Sequence, residues 1–101
     1  MPGRAPKRKG DRVEREVVTL LKAHGLEARR VPLSGAAPGW SGDVVVTLPR
    51  IGTARVEVKS RKHFKTLEGW LEGSDLLVLK PDRRPPLVVL PLSRLLEVLD
   101  E

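Results

Sequence analysis

The chain has 101 residues, 40% hydrophobic and 32% charged, a balance that fits one soluble globular domain with a modest core and excludes a disordered chain. It contains no cysteine, which excludes a disulfide framework and a thiolate metal site and suits a reducing cytoplasm, and no apolar run approaches a membrane span. The formal net charge of +6 points to a polyanionic partner.

Residues 1–10, MPGRAPKRKG, combine basic residues with Pro and Gly and show no apolar periodicity, which predicts a flexible basic arm. Arg4, Lys7, Arg8 and Lys9, with Arg12 just beyond, are candidate contacts to a phosphate backbone; a purely solubilising tail is the alternative. A single domain is expected over residues 11–101. Its first element is a helix over about residues 11–24, where Val13, Val17, Val18, Leu20 and Leu21 form an apolar stripe and Gly25 supplies the stop. Glu14 falls inside that stripe and Arg15 lies nearly opposite it. A carboxylate on a buried face needs a positive partner or must reach water, so Glu14 is either a stripe-edge residue paired with an arginine or a functional one.

A short strand over Glu27–Val31 carries Arg29 and Arg30, and a loop rich in Gly and Pro, PLSGAAPGWSG, follows. No Lys-Ser/Thr follows a glycine there, so it is not a phosphate-binding P-loop. Trp40 in this loop either packs it onto the body or stacks on a base. DVVVTLP reads as a strand covered on both faces, and residues 53–60 as its hairpin partner across a turn at Arg50–Gly52. FKTLEGWLEG predicts a short helix ending at Gly73, with Trp70 in the core. DLLVLK and PLVVLP are two further strands around the turn PDRRP, and LSRLLEVLDE closes the chain as a helix with Ser93 as an early cap. The order α-β-β-β-α-β-β-α predicts an α/β fold, a mixed sheet of about five strands flanked by helices.

The strand RVEVKSRK, residues 55–62, holds the strongest chemical signal. With Val56 and Val58 inward, period two puts Glu57 and Lys59 together on the other face. Each acidic residue has a plain reading by itself: Asp43 as a turn aspartate, Glu57 with Lys59 as an exposed ion pair. Taken together, Asp43 and Glu57 on adjacent strands, with the Val58 carbonyl, make a donor set for a hard cation such as Mg²⁺. Lys59 is placed to orient a water or stabilise charge on a phosphate, and Arg61, Lys62 and Lys65 to hold a phosphate backbone. His24 and His63 have no partners at metal spacing, so zinc is not expected.

Asp43 followed, after thirteen intervening residues, by Glu57-Val58-Lys59 matches the spaced D…ExK signature of the PD-(D/E)xK nucleases, with Gly42 where a proline often precedes the aspartate. The stretch KGDRVEREVVTLLKAHGLEARRVPLSG resembles the N-terminal helix and first strand of the archaeal-type Holliday junction resolvases, and the likeness extends over residues 9–62. The resemblance implies a restriction-endonuclease-like core. It places the family's helix glutamate on Glu14, its strand arginine on Arg30 and its loop serine on Ser34. The metal carboxylates fall on Asp43 and Glu57, with Glu14 supporting the metal's waters, and the catalytic lysine on Lys59. It further implies a homodimer that nicks opposing strands of a four-way junction using Mg²⁺, with Mn²⁺ as a substitute, and arginines including Arg15, Arg29 and Arg30 against the DNA. Two alternatives stand beside it: another nuclease of the superfamily acting on flaps, nicks or duplex DNA, and a non-catalytic DNA-binding module with a vestigial site.

Overall fold

The computed structural model describes the backbone of residues 4–31 and 43–100, and side chains from Gly10 onward within those segments. The eight elements follow the expected order: α1 (Arg4–Ala23), β1 (Ala28–Arg30), β2 (Val44–Leu48), β3 (Gly52–Val56), α2 (Lys65–Leu71), β4 (Leu77–Leu79), β5 (Leu87–Val89) and α3 (Leu92–Leu99). The chain clusters into two compact units, Met1–Ser60 and Arg61–Glu101.

In the first unit α1 begins at Arg4, not at Asp11, and so takes in most of the segment expected as an arm. Pro6 does not prevent this. It lies in the first turn, where backbone N–H groups have no intrahelical partner and a missing one costs little. Ala5 and the Lys and Arg residues around it are good helix formers. At the other end the Leu26 N–H donates to the Leu21 carbonyl and the Gly25 N–H to Lys22, with Gly25 at φ +80°. This is a Schellman closure, and its left-handed position favours glycine.

The stripe on α1 is narrower and slightly rotated from expectation. Val18 and Leu21 are buried, Val13, Glu14 and Val17 half-buried, and Leu20 is exposed. Helix α1 packs against β1 and β2. The three strands of this unit form one antiparallel sheet in the order β1-β2-β3, with Arg30 opposite Val44 and Val44 opposite Val56. Val44, Val45 and Val46 are all buried, as a continuous apolar run requires. Strand β3 ends at Val56, so Glu57, Val58 and Lys59 lie just beyond the ladder, where residues 53–60 were expected to continue it.

The second unit contains α2, the antiparallel β4–β5 hairpin and α3, with Leu96 as the buried residue of α3. Two expectations are corrected there. Trp70 is exposed, because its helix is a single short segment that buries none of its residues. Ser93 does not cap α3: the position before the helix is Pro91, and no side chain bonds the first turn. The single five-stranded mixed sheet is not shown. Among the described residues the strands form a three-stranded and a two-stranded sheet, both antiparallel. Alternation and turns define hairpins locally, but they carry no information on whether β4 joins β3.

Candidate active site

The open end of the β2–β3 hairpin is where the chemistry gathers. Asp43 stands one residue before β2 and is tied to both neighbours. Its N–H donates to the Val56 carbonyl at 2.7 Å, and its own carbonyl accepts from the Val31 N–H at 3.0 Å. Its carboxylate is also aimed by the backbone, since Oδ2 accepts from the Val58 N–H at 2.9 Å. That last bond joins the start of β2 to the first turnless residues after β3, and it brings the Asp43 carboxylate beside the Glu57–Val58 segment. The sequence reading uses the Val58 carbonyl and overlooks the Val58 N–H, which bonds the Asp43 carboxylate directly.

Glu57 and Lys59 share one face of the extended chain, as period two requires, while Val56 and Val58 are half-buried on the other. Lys59 Nζ lies 3.6 Å from Glu57 Oε2, and both side chains are exposed. The geometry of the plain ion pair is therefore present. In water such a pair contributes little to stability, so its placement beside an oriented aspartate is the feature that needs a function.

Glu14 and Arg30 form a second group, on the side of the sheet that meets α1. Arg30 Nε donates to Glu14 Oε1 at 3.1 Å, and Arg30 Nη2 donates to Asp11 Oδ1 at 2.7 Å. The Glu14 side chain is only 12% exposed, so the carboxylate in the apolar stripe has found the cation that its burial demands. Asp11 is the residue that sequence reasoning missed. It was assigned to the helix start, although it lies three residues before Glu14 and so shares its helix face.

Among the described residues no three acidic or histidine side chains come together as a metal cluster. The donor chemistry of Asp43, Glu57 and the Val58 carbonyl is all oxygen, which fits Mg²⁺: that ion keeps several waters and needs only one or two carboxylates from the protein.

The basic residues distribute as follows. Arg12 makes a 3.9 Å surface pair with Glu16, and Arg15 is exposed on the outer face of α1. Arg29 is exposed on β1 opposite Val45. Arg4, Lys7, Arg8 and Lys9 belong to the first turns of α1, their side chains outside the described set, and Ser34 and Trp40 lie outside the described residues altogether. In the second unit Arg61, Lys62 and Lys65 are exposed, with the Arg61 guanidinium 6.0 Å from the Phe64 ring centroid.

Residues 5–69 match the family model described as archaeal Holliday junction resolvase (hjc). The chain belongs to that family. No curated protein and no solved structure matches it. The resolvase match runs from the first turn of α1 into α2, so it includes every residue of both acidic groups. No helix among the described residues is long and apolar enough to cross a membrane.

Proposed function

We propose that this protein is a Mg²⁺-dependent endonuclease that resolves four-way DNA junctions by paired nicks. The observation that carries the reading is the Asp43 carboxylate, held by the Val58 N–H beside Glu57 and Lys59 within a chain of the resolvase family. Asp43 and Glu57 hold the ion, with the Val58 carbonyl as a further oxygen donor. When bound, Mg²⁺ polarises the scissile phosphate and acidifies water, and Mn²⁺ substitutes for it. Lys59 orients the attacking water and offsets charge on the phosphate. Arg30 and Ser34 position the phosphate, and Glu14 acts on this side through its bond to Arg30 and towards the metal's waters. The exposed arginines and lysines hold the DNA backbone, together with Arg4, Lys7, Arg8 and Lys9 of the first turns of α1.

The two units work as one nuclease domain, and two copies pair so that one site faces each opposing strand. Exposed apolar residues in the second unit, Trp70, Val78, Leu87, Val88 and Val98, support pairing, since exposed apolar surface of this kind marks interaction sites. Sedimentation equilibrium should return twice the 11.2 kDa chain mass. A cytoplasmic location accords with the cysteine-free chain.

The deciding experiment is cleavage of an end-labelled four-way junction in Mg²⁺, beside a linear duplex of the same sequence. Symmetric nicks in the junction, with the duplex intact, are the expected result. Cleavage of both substrates would keep the catalytic assignment and make the protein a general nuclease. Tight binding without cleavage in Mg²⁺ or Mn²⁺ would make it a binding module.

A further inference from the structure

The Arg30 guanidinium is gripped along one edge by two carboxylates from α1, and we infer that Asp11 is a positioning residue that sets the orientation of Arg30 for the phosphate. A guanidinium has five N–H donors in a rigid plane. Glu14 takes the Nε–H and Asp11 takes Nη2, so the edge bearing these two nitrogens is turned towards α1. Two anchors on one edge fix the roll of the plane as well as its position, which one bond to Glu14 does not do. The opposite nitrogen, Nη1, makes no hydrogen bond to any described residue and is thereby directed away from the helix.

Helical spacing makes the grip possible. Asp11 and Glu14 are three residues apart and present their carboxylates on one face of α1. Arg30 sits at the end of β1, opposite Val44 and therefore next to Asp43 in the ladder. The side chains of Asp11 and Arg30 are each about one-third exposed at 32%, so the 2.7 Å bond is open to a phosphate arriving from solvent without being fully solvated. Charge-assisted bonds of this length are the stronger kind, and they hold the planar fork in register.

The inference rests on the proposed reaction for its catalytic consequence, and two readouts separate the parts. The first is the Arg30 Nη2–H resonance in a ¹⁵N spectrum of the full chain, which reports the bond to Asp11 without any cleavage. It should be observable and slowly exchanging in the wild type and in Asp11→Glu, and broadened or lost in Asp11→Ala. An unchanged resonance in Asp11→Ala overturns the positioning role. The second is single-turnover junction cleavage. Asp11→Ala should lower the rate constant about ten-fold with junction affinity little changed, and Asp11→Glu should restore most of it. The double variant Asp11→Ala/Arg30→Ala should be no slower than Arg30→Ala alone, because the two residues act as a unit. Multiplying effects would show that Asp11 acts independently of Arg30 and would overturn the proposal. A wild-type chain that cuts neither junction nor duplex would overturn the proposed function, while the Nη2–H resonance still decides whether Asp11 holds Arg30.

Discussion

At the scale of single residues, the strongest claim concerns Asp43. Its carboxylate has a structural task, accepting the Val58 N–H, and a proposed chemical task, holding a cation. Asparagine separates them. The amide oxygen accepts the same N–H, so Asp43→Asn should shift the melting temperature by less than about 4 °C, while the lost negative charge weakens Mg²⁺ binding. Metal-dependent cleavage should fall by about a hundred-fold or more, and calorimetric Mg²⁺ binding should weaken in parallel. An unfolded variant would instead assign Asp43 to the fold, and an unchanged cleavage rate would remove it from the site. Asp43, Glu57 and Lys59 are legible in the sequence because strand period two and fixed spacing are local properties. The Glu14–Arg30 pair is half legible: the helical wheel shows a carboxylate in need of a cation but not which arginine answers it. Asp11 escapes because it stood at the expected start of the helix, and the boundary itself moved.

At the scale of elements, the position of that boundary is testable. With α1 starting at Arg4, Gly10 is an interior helical residue, and a Cβ added there would meet nothing within 4 Å. Gly10→Ala should therefore stabilise the protein by about 0.5–1 kcal/mol, through backbone entropy alone. Were the helix to start at Asp11, the same change would fall outside it and do little. Gly25→Ala is the matched control at the other end. It also meets no atom within 4 Å, but its φ of +80° is strained for alanine, so a loss of about 1 kcal/mol is expected. Urea midpoints at constant m-value read both changes. The order and type of all eight elements are legible because each carries its own periodicity and turn residues. Edges are less so: α1 runs back through Pro6 because first-turn N–H groups need no partner, and β3 stops at Val56 although the alternation continues. Trp70 and the pairing of β4 with β5 alone depend on what lies alongside in space, which periodicity does not encode.

Across the whole molecule, charge divides unevenly. Residues 1–60 carry twelve basic against six acidic side chains, and residues 61–101 carry seven against seven, so the net +6 belongs to the first unit. A DNA interface confined to the first unit would leave Arg61, Lys62 and Lys65 as ordinary surface charges balanced by their own unit's acids. The proposed function instead sets all three against DNA, and the family match, which continues to residue 69, covers them. Arg61 is also arranged compatibly with a phosphate contact: its guanidinium lies over Phe64 at 6.0 Å from the ring centroid, a cation–π distance that does not use its N–H donors. Each phosphate contact contributes about 0.9 to the slope of log affinity against log salt on duplex arms. Replacing Arg61, Lys62 and Lys65 together by alanine should therefore reduce that slope by about two to three and weaken binding to junction and duplex alike, because phosphate contacts carry no sequence or branch information. Fluorescence anisotropy over a salt series measures both quantities. A slope equal to that of the wild type would confine the interface to the first unit, and a loss restricted to the junction would make these residues readers of the branch.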